Sequence, residues 1–390
     1  MKTSLILVAS VLAILNVSAQ NEWDNVAVNS LNRRPAHTVE IPVTDSNADA
    51  YCIPLNGVWK FNWAADPDHK PEGFEKESYN DSDWDNIDVP STWQIYGLRN
   101  GKNWDKPLYC NVAYPFAYDR ETFSIMAERP EWFTYGKDMM NPVGSYRRTF
   151  SIPQEWNNRR IFIRFNGAGH GYYVYVNGEM VGYAEDSYLP SEFEITDQVR
   201  KGENLLAVQV YRFTSGSFLE CQDYWRLTGI TRDVFVWSAP KNNILDYFFT
   251  TDFDSTYTDA TVNLDITLDG KSVSKGHSLT AKILDGDSLV AEKNMTNLVE
   301  GVNRISFPVT EPKKWTAETP NLYTLVLALN NGKQDIDIRT SQVGFRKIEV
   351  GEDGSIRING KPIKIRGVNR HDHAWRTGRS VTVSHMTEEI

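Results

Sequence analysis

The chain has 390 residues, 41% of them hydrophobic, with 41 Lys and Arg set against 51 Asp and Glu for a formal net charge of −10. That length supplies two or three domains of about 150 residues each. The acidic balance, with no run of Lys and Arg, argues against a nucleic-acid partner and against docking on an anionic membrane. No apolar run beyond the N-terminal one is long enough to cross a bilayer.

Residues 1–19 read as a signal peptide. Lys2 gives a positive start, an apolar stretch follows over residues 5–17, and Val17-Ser18-Ala19 is a small-residue cleavage site. No Cys follows that site, which argues against a lipid anchor. The expectation is an exported protein, periplasmic or secreted.

From residue 20 to about 240 the dominant period is two. Tyr172-Tyr173-Val174-Tyr175-Val176 runs into Asn177-Gly178 and then Met180-Val181-Gly182-Tyr183. An Asn-Gly between two such runs signals a hairpin, because both turn residues tolerate positive φ. Leu205-Leu206-Ala207-Val208-Gln209-Val210 and Asp233-Val234-Phe235-Val236-Trp237 are further strands. Aromatics reach 12% with 12 Trp, which suits a β-core and a sugar-binding surface equally. Ser238-Ala239-Pro240-Lys241 marks a boundary. After it, Ala260-Thr261-Val262-Asn263-Leu264-Asp265-Ile266 alternates cleanly and Tyr323-Thr324-Leu325-Val326-Leu327-Ala328-Leu329 precedes a second Asn-Gly at Asn331-Gly332. About 100 residues of such strands suit an immunoglobulin-like sandwich. Beyond Gly344-Phe345-Arg346, Ile356-Arg357-Ile358 and Ile363-Lys364-Ile365 flank a third Asn-Gly, Asn359-Gly360. Long amphipathic helices are absent, so the fold class is mainly β. Cys52, Cys110 and Cys221 match no zinc or redox spacing. Their odd number leaves at least one thiol in a monomer, and spacing does not decide whether Cys52 and Cys110 are bonded.

Four motifs are more specific. The first is Leu55-Asn56-Gly57-Val58-Trp59 with Pro90-Ser91-Thr92-Trp93-Gln94. The second is Tyr109-Cys110-Asn111-Val112-Ala113-Tyr114-Pro115-Phe116 with Asn141-Pro142-Val143-Gly144-Ser145-Tyr146. The third runs from Gly216-Ser217-Phe218-Leu219-Glu220 through Cys221-Gln222-Asp223-Tyr224-Trp225-Arg226 to Gly229-Ile230-Thr231-Arg232-Asp233. The fourth is Val343-Gly344-Phe345-Arg346 with Gly367-Val368-Asn369-Arg370-His371-Asp372-His373. In this order and spacing the chain resembles glycoside hydrolase family two, in its β-galactosidase pattern, over residues 23–390.

The resemblance implies a jelly-roll sugar-binding domain over residues 20–240, an immunoglobulin-like β-sandwich over 241–343, and over 344–390 the first strand of a (β/α)8 barrel, a fold that takes about 250 residues. It implies hydrolysis of terminal non-reducing β-D-galactose residues with retention, by one Glu as acid and a second as nucleophile. Both belong to later barrel strands, beyond Ile390, so it implies no catalytic residue within this chain and no activity of the chain alone. Asp223 matches the family's ligand of Na+ and of the galactose 6-hydroxyl, tasks that suit a hard, strongly accepting carboxylate. Asn111 matches an Asn that bonds sugar hydroxyls, and its amide both donates and accepts. His371, at the C-terminal end of the first barrel strand, matches a His on the galactosyl ring. A divalent cation such as Mg2+ and a homo-oligomer of the full-length enzyme are also implied, the divalent ligands lying beyond the chain. Where the family usually carries an acidic residue this sequence has Cys221, which removes a charge near the substrate entrance.

Read from the residues alone, Asp223 has Arg226 and Arg232 nearby to pair with, Asn111 stands beside a Tyr-Pro turn, and His371 can serve as a structural donor. At the level of function the alternatives are a β-glucuronidase or β-mannosidase of the same family and a stand-alone carbohydrate-binding module. The module has no use for the Asn369-to-His373 segment.

Overall fold

The structure is a computed structural model, and it describes residues 21–37, 51–111, 114, 116, 118, 121, 141–273 and 276–390. The expected signal peptide, residues 1–19, lies outside them.

The first unit is made of short strands: β1 (Ser30–Leu31), β2 (Cys52–Pro54), β3 (Gly57–Ala64), β4 (Asp85–Val89), β5 (Leu108–Cys110), β6 (Val143–Ile152), β7 (Arg160–Phe165), β8 (Ala168–Gly169), β9 (Gly171–Val176), β10 (Glu179–Glu185), β11 (Ser191–Glu194), β12 (Gly202–Tyr211), β13 (Tyr224–Arg226), β14 (Gly229–Ile230) and β15 (Val234–Ala239). Helix α1 (Trp93–Arg99) lies between β4 and β5. A seven-stranded sheet in the order β1-β10-β9-β12-β6-β3-β4 faces a four-stranded sheet in the order β11-β7-β15-β2. Alternation explains the layering: Leu206, Val208 and Val210 of β12 enter one core with Trp59, Phe61, Tyr146, Phe165, Tyr172, Phe193 and Val236. The hairpin joining β9 to β10 turns on Asn177 and Gly178 at φ 52° and 89°, the double positive-φ turn that matches the twist of its strands. The Asn56 side chain ties the start of β3 to the strand behind it, donating to Asp233 at 2.7 Å and accepting from the Val234 amide at 3.1 Å.

The second unit packs β16 (Asn243–Phe253), β17 (Ala260–Asp269) and β20 (Gly301–Val309) against a sheet of β18 (Ser278–Asp285), β19 (Ser288–Met295), β21 (Tyr323–Asn330) and β22 (Asp335–Val343). Val262, Leu264 and Ile266 from one sheet meet Leu325, Leu327 and Leu329 from the other in a separate core, so the unit is an immunoglobulin-like sandwich. The Asn-Gly at 331–332 departs from a two-residue turn. Only Gly332 is at positive φ, 86°, and Asn331 N–H reaches the Gln334 carbonyl at 3.1 Å, so the link from β21 to β22 is a longer loop.

A small meander follows: β23 (Ile348–Val350), β24 (Ile356–Ile358) and β25 (Lys361–Pro362), with Asn359 and Gly360 at φ 51° and 75°. The expected barrel strand from Ile363 to Val368 is not in a ladder. Its residues are exposed, Val368 by 92%, and among the described residues no strand lies alongside. A parallel barrel strand draws its hydrogen bonds from neighbours on both edges, and without them the segment stays out of a sheet. Helix α2 (Val383–Glu389) ends the chain. Among the described residues no helix is long and apolar enough to cross a membrane.

Candidate functional site

Three elements converge on one rim of the first unit. Strand β13 pairs with β5, Tyr224 opposite Cys110 and Trp225 opposite Tyr109. The loop leading into β13 carries Cys221 and Asp223 at φ 62° and 52°, a region costing a non-glycine residue on the order of 1–3 kcal/mol. The segment after β25 lies against this loop. The Tyr224 ring stacks on His371 at 4.8 Å, and the Tyr224 hydroxyl donates to the Asp372 carbonyl at 2.6 Å.

Asp223 is exposed. Its carboxylate accepts a hydrogen bond from the Tyr109 hydroxyl, and its amide donates to the Asn111 carbonyl at 3.4 Å. Neither of the arginines nearby in sequence takes it. Arg226 is buried and donates to the Ser217 carbonyl at 3.2 Å, while Arg232 lies 3.7 Å from Asp372. Asn111 is exposed beside Asp223, and His371 reaches the same loop through Tyr224. The chain therefore brings together all three residues singled out in the sequence. Behind them, Tyr114, Phe116 and Tyr118 pack on Phe218, fixing the second motif against the third. Asp105 receives Trp93 at 3.1 Å, Gln94 at 2.9 Å and the buried Arg212, so much of the first motif holds the scaffold rather than a ligand.

Under the rim lies a cavity of about 360 Å³ lined by Tyr188, Cys221, Tyr224, Arg232, His371 and Arg379, among others. Burial pushes the Cys221 thiol up, but His170, with its Nε2 3.9 Å from Sγ, and Arg379, whose Nη2 donates to Sγ at 2.7 Å, hold it down to about 6. His170 is itself fully buried, which lowers its pKa, yet Cys221 and Glu220 raise it above the ordinary value. Glu220 takes the other ring nitrogen at 2.5 Å and the Ser187 hydroxyl at 2.6 Å. Its carboxyl is held low by His170 and Ser187 against burial. His170 and Arg379 thus favour the thiolate at the position where the resemblance expects an acidic residue.

The donors around Asp223, a carboxylate and a phenol oxygen, are the hard oxygen set that Na+ takes, so the residues present fit that ion in part. His170, Glu220 and Cys221 form another cluster with ligand atoms within 4.8 Å of one another. Its nitrogen and sulfur donors suit softer metals, and a guanidinium already sits on the sulfur.

Sequence reasoning did not find Tyr109, Tyr224 and Arg379 as site residues. Tyr109 stood inside the second motif and Tyr224 inside the third, but only the β5–β13 pairing shows what they touch. Arg379 had no signal.

Three family models match consecutive stretches: "Glycosyl hydrolases family 2, sugar binding domain" over residues 53–240, "Glycosyl hydrolases family 2" over 242–346, and "Glycosyl hydrolases family 2, TIM barrel domain" over 348–390. The chain is similar to a β-galactosidase of Priestia megaterium, 36% identical over 387 residues, covering 95% of this chain and 36% of that protein. A β-galactosidase of Alteromonas mediterranea is 36% identical over 398 residues, with 97% and 36% covered. The chain thus spans about 36% of the length of these relatives. Among solved structures, a β-glycosidase from Bacteroides vulgatus superposes with a TM-score of 0.63 at 22% identity over 85% of this chain and 38% of that one. A β-glucuronidase from Ruminococcus gnavus gives 0.67 at 20% over 90% and 55%. At these identities the structural likeness is one of fold.

Proposed function

The chain belongs to glycosyl hydrolase family 2, and from that premise we propose that it forms the sugar-binding side of a β-galactosidase active site. The observation that carries this reading is the meeting of Asp223, Asn111 and His371 on one rim, in a chain 36% identical to β-galactosidases over nearly its whole length. The structural neighbours named as β-glucuronidases share the fold at 20% identity, which weighs less than the galactosidase likeness.

On this reading the substrate is a glycan ending in β-D-galactose. Asp223, oriented by the Tyr109 hydroxyl, accepts a sugar hydroxyl and holds Na+, which supplies a fixed positive charge for sugar oxygens. Asn111 bonds hydroxyls with both halves of its amide. His371, braced on Tyr224, donates toward the galactosyl ring. The reading assigns the general acid, the nucleophile and the site of a divalent cation such as Mg2+ to other strands of the barrel. The segment over residues 5–17 supports export. Oligomerisation of the complete enzyme goes with the reading.

In the enzyme with its whole barrel, Asp223→Asn keeps the side chain's size and removes its charge. The expected result is at least a tenfold loss in kcat/KM, about 1.4 kcal/mol, together with a weakened response to sodium. Unchanged turnover and an unchanged sodium response would reject the reading.

A further inference from the structure

We infer that Arg379 is a positioning residue for Asp223: its guanidinium clamps the Asp223 loop at both ends and ties it to the segment that carries His371. What Asp223 binds rests on the galactoside reading; the clamp rests on contacts within this chain.

The loop needs a brace. Cys221 and Asp223 both sit at left-handed φ, a conformation that non-glycine side chains keep only where the surroundings hold it. Strand β13 is only three residues long, and the Asp223 amide reaches Asn111 at a long 3.4 Å. Arg379 supplies what these leave short. A single atom, Nη2, donates to Cys221 Sγ at 2.7 Å and to the Trp225 carbonyl at 2.8 Å. Those acceptors lie two residues before and two residues after Asp223. The span between them is therefore fixed by one planar group, and Asp223 stands at its middle.

The clamp is itself immobilised. Arg379 is 7% exposed, and its guanidinium lies over the rings of Tyr188 at 5.0 Å and Tyr224 at 4.7 Å. Tyr224 also carries His371, so the same aromatic ring spaces the guanidinium and the imidazole. A planar cation stacked on aromatics holds its donors in fixed directions, which an ammonium on a flexible stem does not. Because Arg379 comes from beyond residue 363 and the loop from the first unit, Asp223 and His371 are set in register by one side chain whose hydrogen bonds go to Cys221 and Trp225.

The test uses the full 390-residue chain and two NMR readouts: amide exchange over residues 221–226, and the 13C resonance of the Asp223 carboxyl, which senses the Tyr109 hydrogen bond. In Arg379→Gln the loop amides should exchange at least tenfold faster relative to those of β12. The Asp223 carboxyl signal should move toward its position in Tyr109→Phe. Arg379→Lys, which still donates, should restore part of both. Cys221→Ala removes one acceptor and leaves the guanidinium in place; it should give the same pattern at smaller size, and it carries the test if Arg379→Gln does not fold. Unchanged loop exchange and an unchanged Asp223 signal in a folded variant would overturn the clamp. So would acceleration shared equally with β12, which means a general loss of stability. No sugar enters these measurements, so the clamp can fail while the galactoside reading stands, and the reverse.

Discussion

Gly182 shows how tightly single residues are set. It sits in β10 where a bulge shifts the pairing with β9. A Cβ there would lie 2.4 Å from the Leu31 carbonyl and 2.7 Å from the Phe193 ring, one belonging to β1 and the other to the opposite sheet. Gly182→Ala must push one of them away, and overpacking of this kind costs about 1–3 kcal/mol. The variant should melt earlier than the parent by thermal denaturation; an unchanged midpoint would mean that the strands around Gly182 part to admit a methyl group at no cost. Nothing in the sequence marked Gly182 as different from an ordinary strand glycine, because both neighbours come from distant segments. Asn111, Asp223 and His371 could be singled out for the opposite reason: each stands inside a contiguous motif. The buried group of His170, Glu220, Cys221 and Arg379 was not, since it is assembled from residues 170, 220–221 and 379, and no local pattern records which buried cation will meet which thiol.

Strands were readable wherever both faces of a ladder alternate, as in β17, or where Asn-Gly sits in a two-residue turn, as at 177–178. At 331–332 the hairpin forms, β21 against β22, but through a longer loop, because two residues of turn chemistry do not set the length of the loop around them. The joints between elements were hidden altogether. One of them joins the sandwiches: Arg34 holds Glu192 of β11 at 2.5 Å and Asp269 of β17 at 2.6 Å, and Arg160 of β7 reaches Asp269 at 2.7 Å. Burial pushes the Glu192 carboxyl up, but His37, Arg34 and Trp237 bring it below the ordinary range. A folded pKa below the unfolded one stabilises the fold above the unfolded value, about 4.3 for Glu, and that contribution is lost as pH falls through the folded value. Glu192→Gln should therefore cost about 3–5 kcal/mol at pH 7, where it takes the carboxylate from the buried Arg164 and one of two from the buried Arg34. Below about pH 4 the gap between variant and parent should narrow. Urea midpoints measured from pH 7 down to pH 3 decide it: parallel curves at all pH values would show that Glu192 carries no linkage.

At the scale of the molecule, two separate cores bear on how it unfolds. Trp59, Phe61 and Tyr146 belong to one and Leu325, Leu327 and Leu329 to the other, and ion pairs such as Arg160–Asp269, partly exposed on both sides, cross between them. A junction of that kind couples domains weakly compared with a shared apolar core. Leu327→Ala, which empties a fully buried site in the second core, should destabilise that sandwich by about 2–5 kcal/mol. In a domain of about 100 residues this lowers its midpoint on the order of 10 °C or more. Ten of the 12 Trp precede residue 240, leaving Trp315 and Trp375 after it, so tryptophan fluorescence reports mainly on the first sandwich while calorimetry sees both. The expected outcome is an early calorimetric transition that moves with Leu327→Ala while the main fluorescence transition stays in place. If both signals shift together by the same amount, the two sandwiches unfold as one unit, and the charged junction at Asp269 couples them far more strongly than the partly exposed Arg160–Asp269 pair suggests.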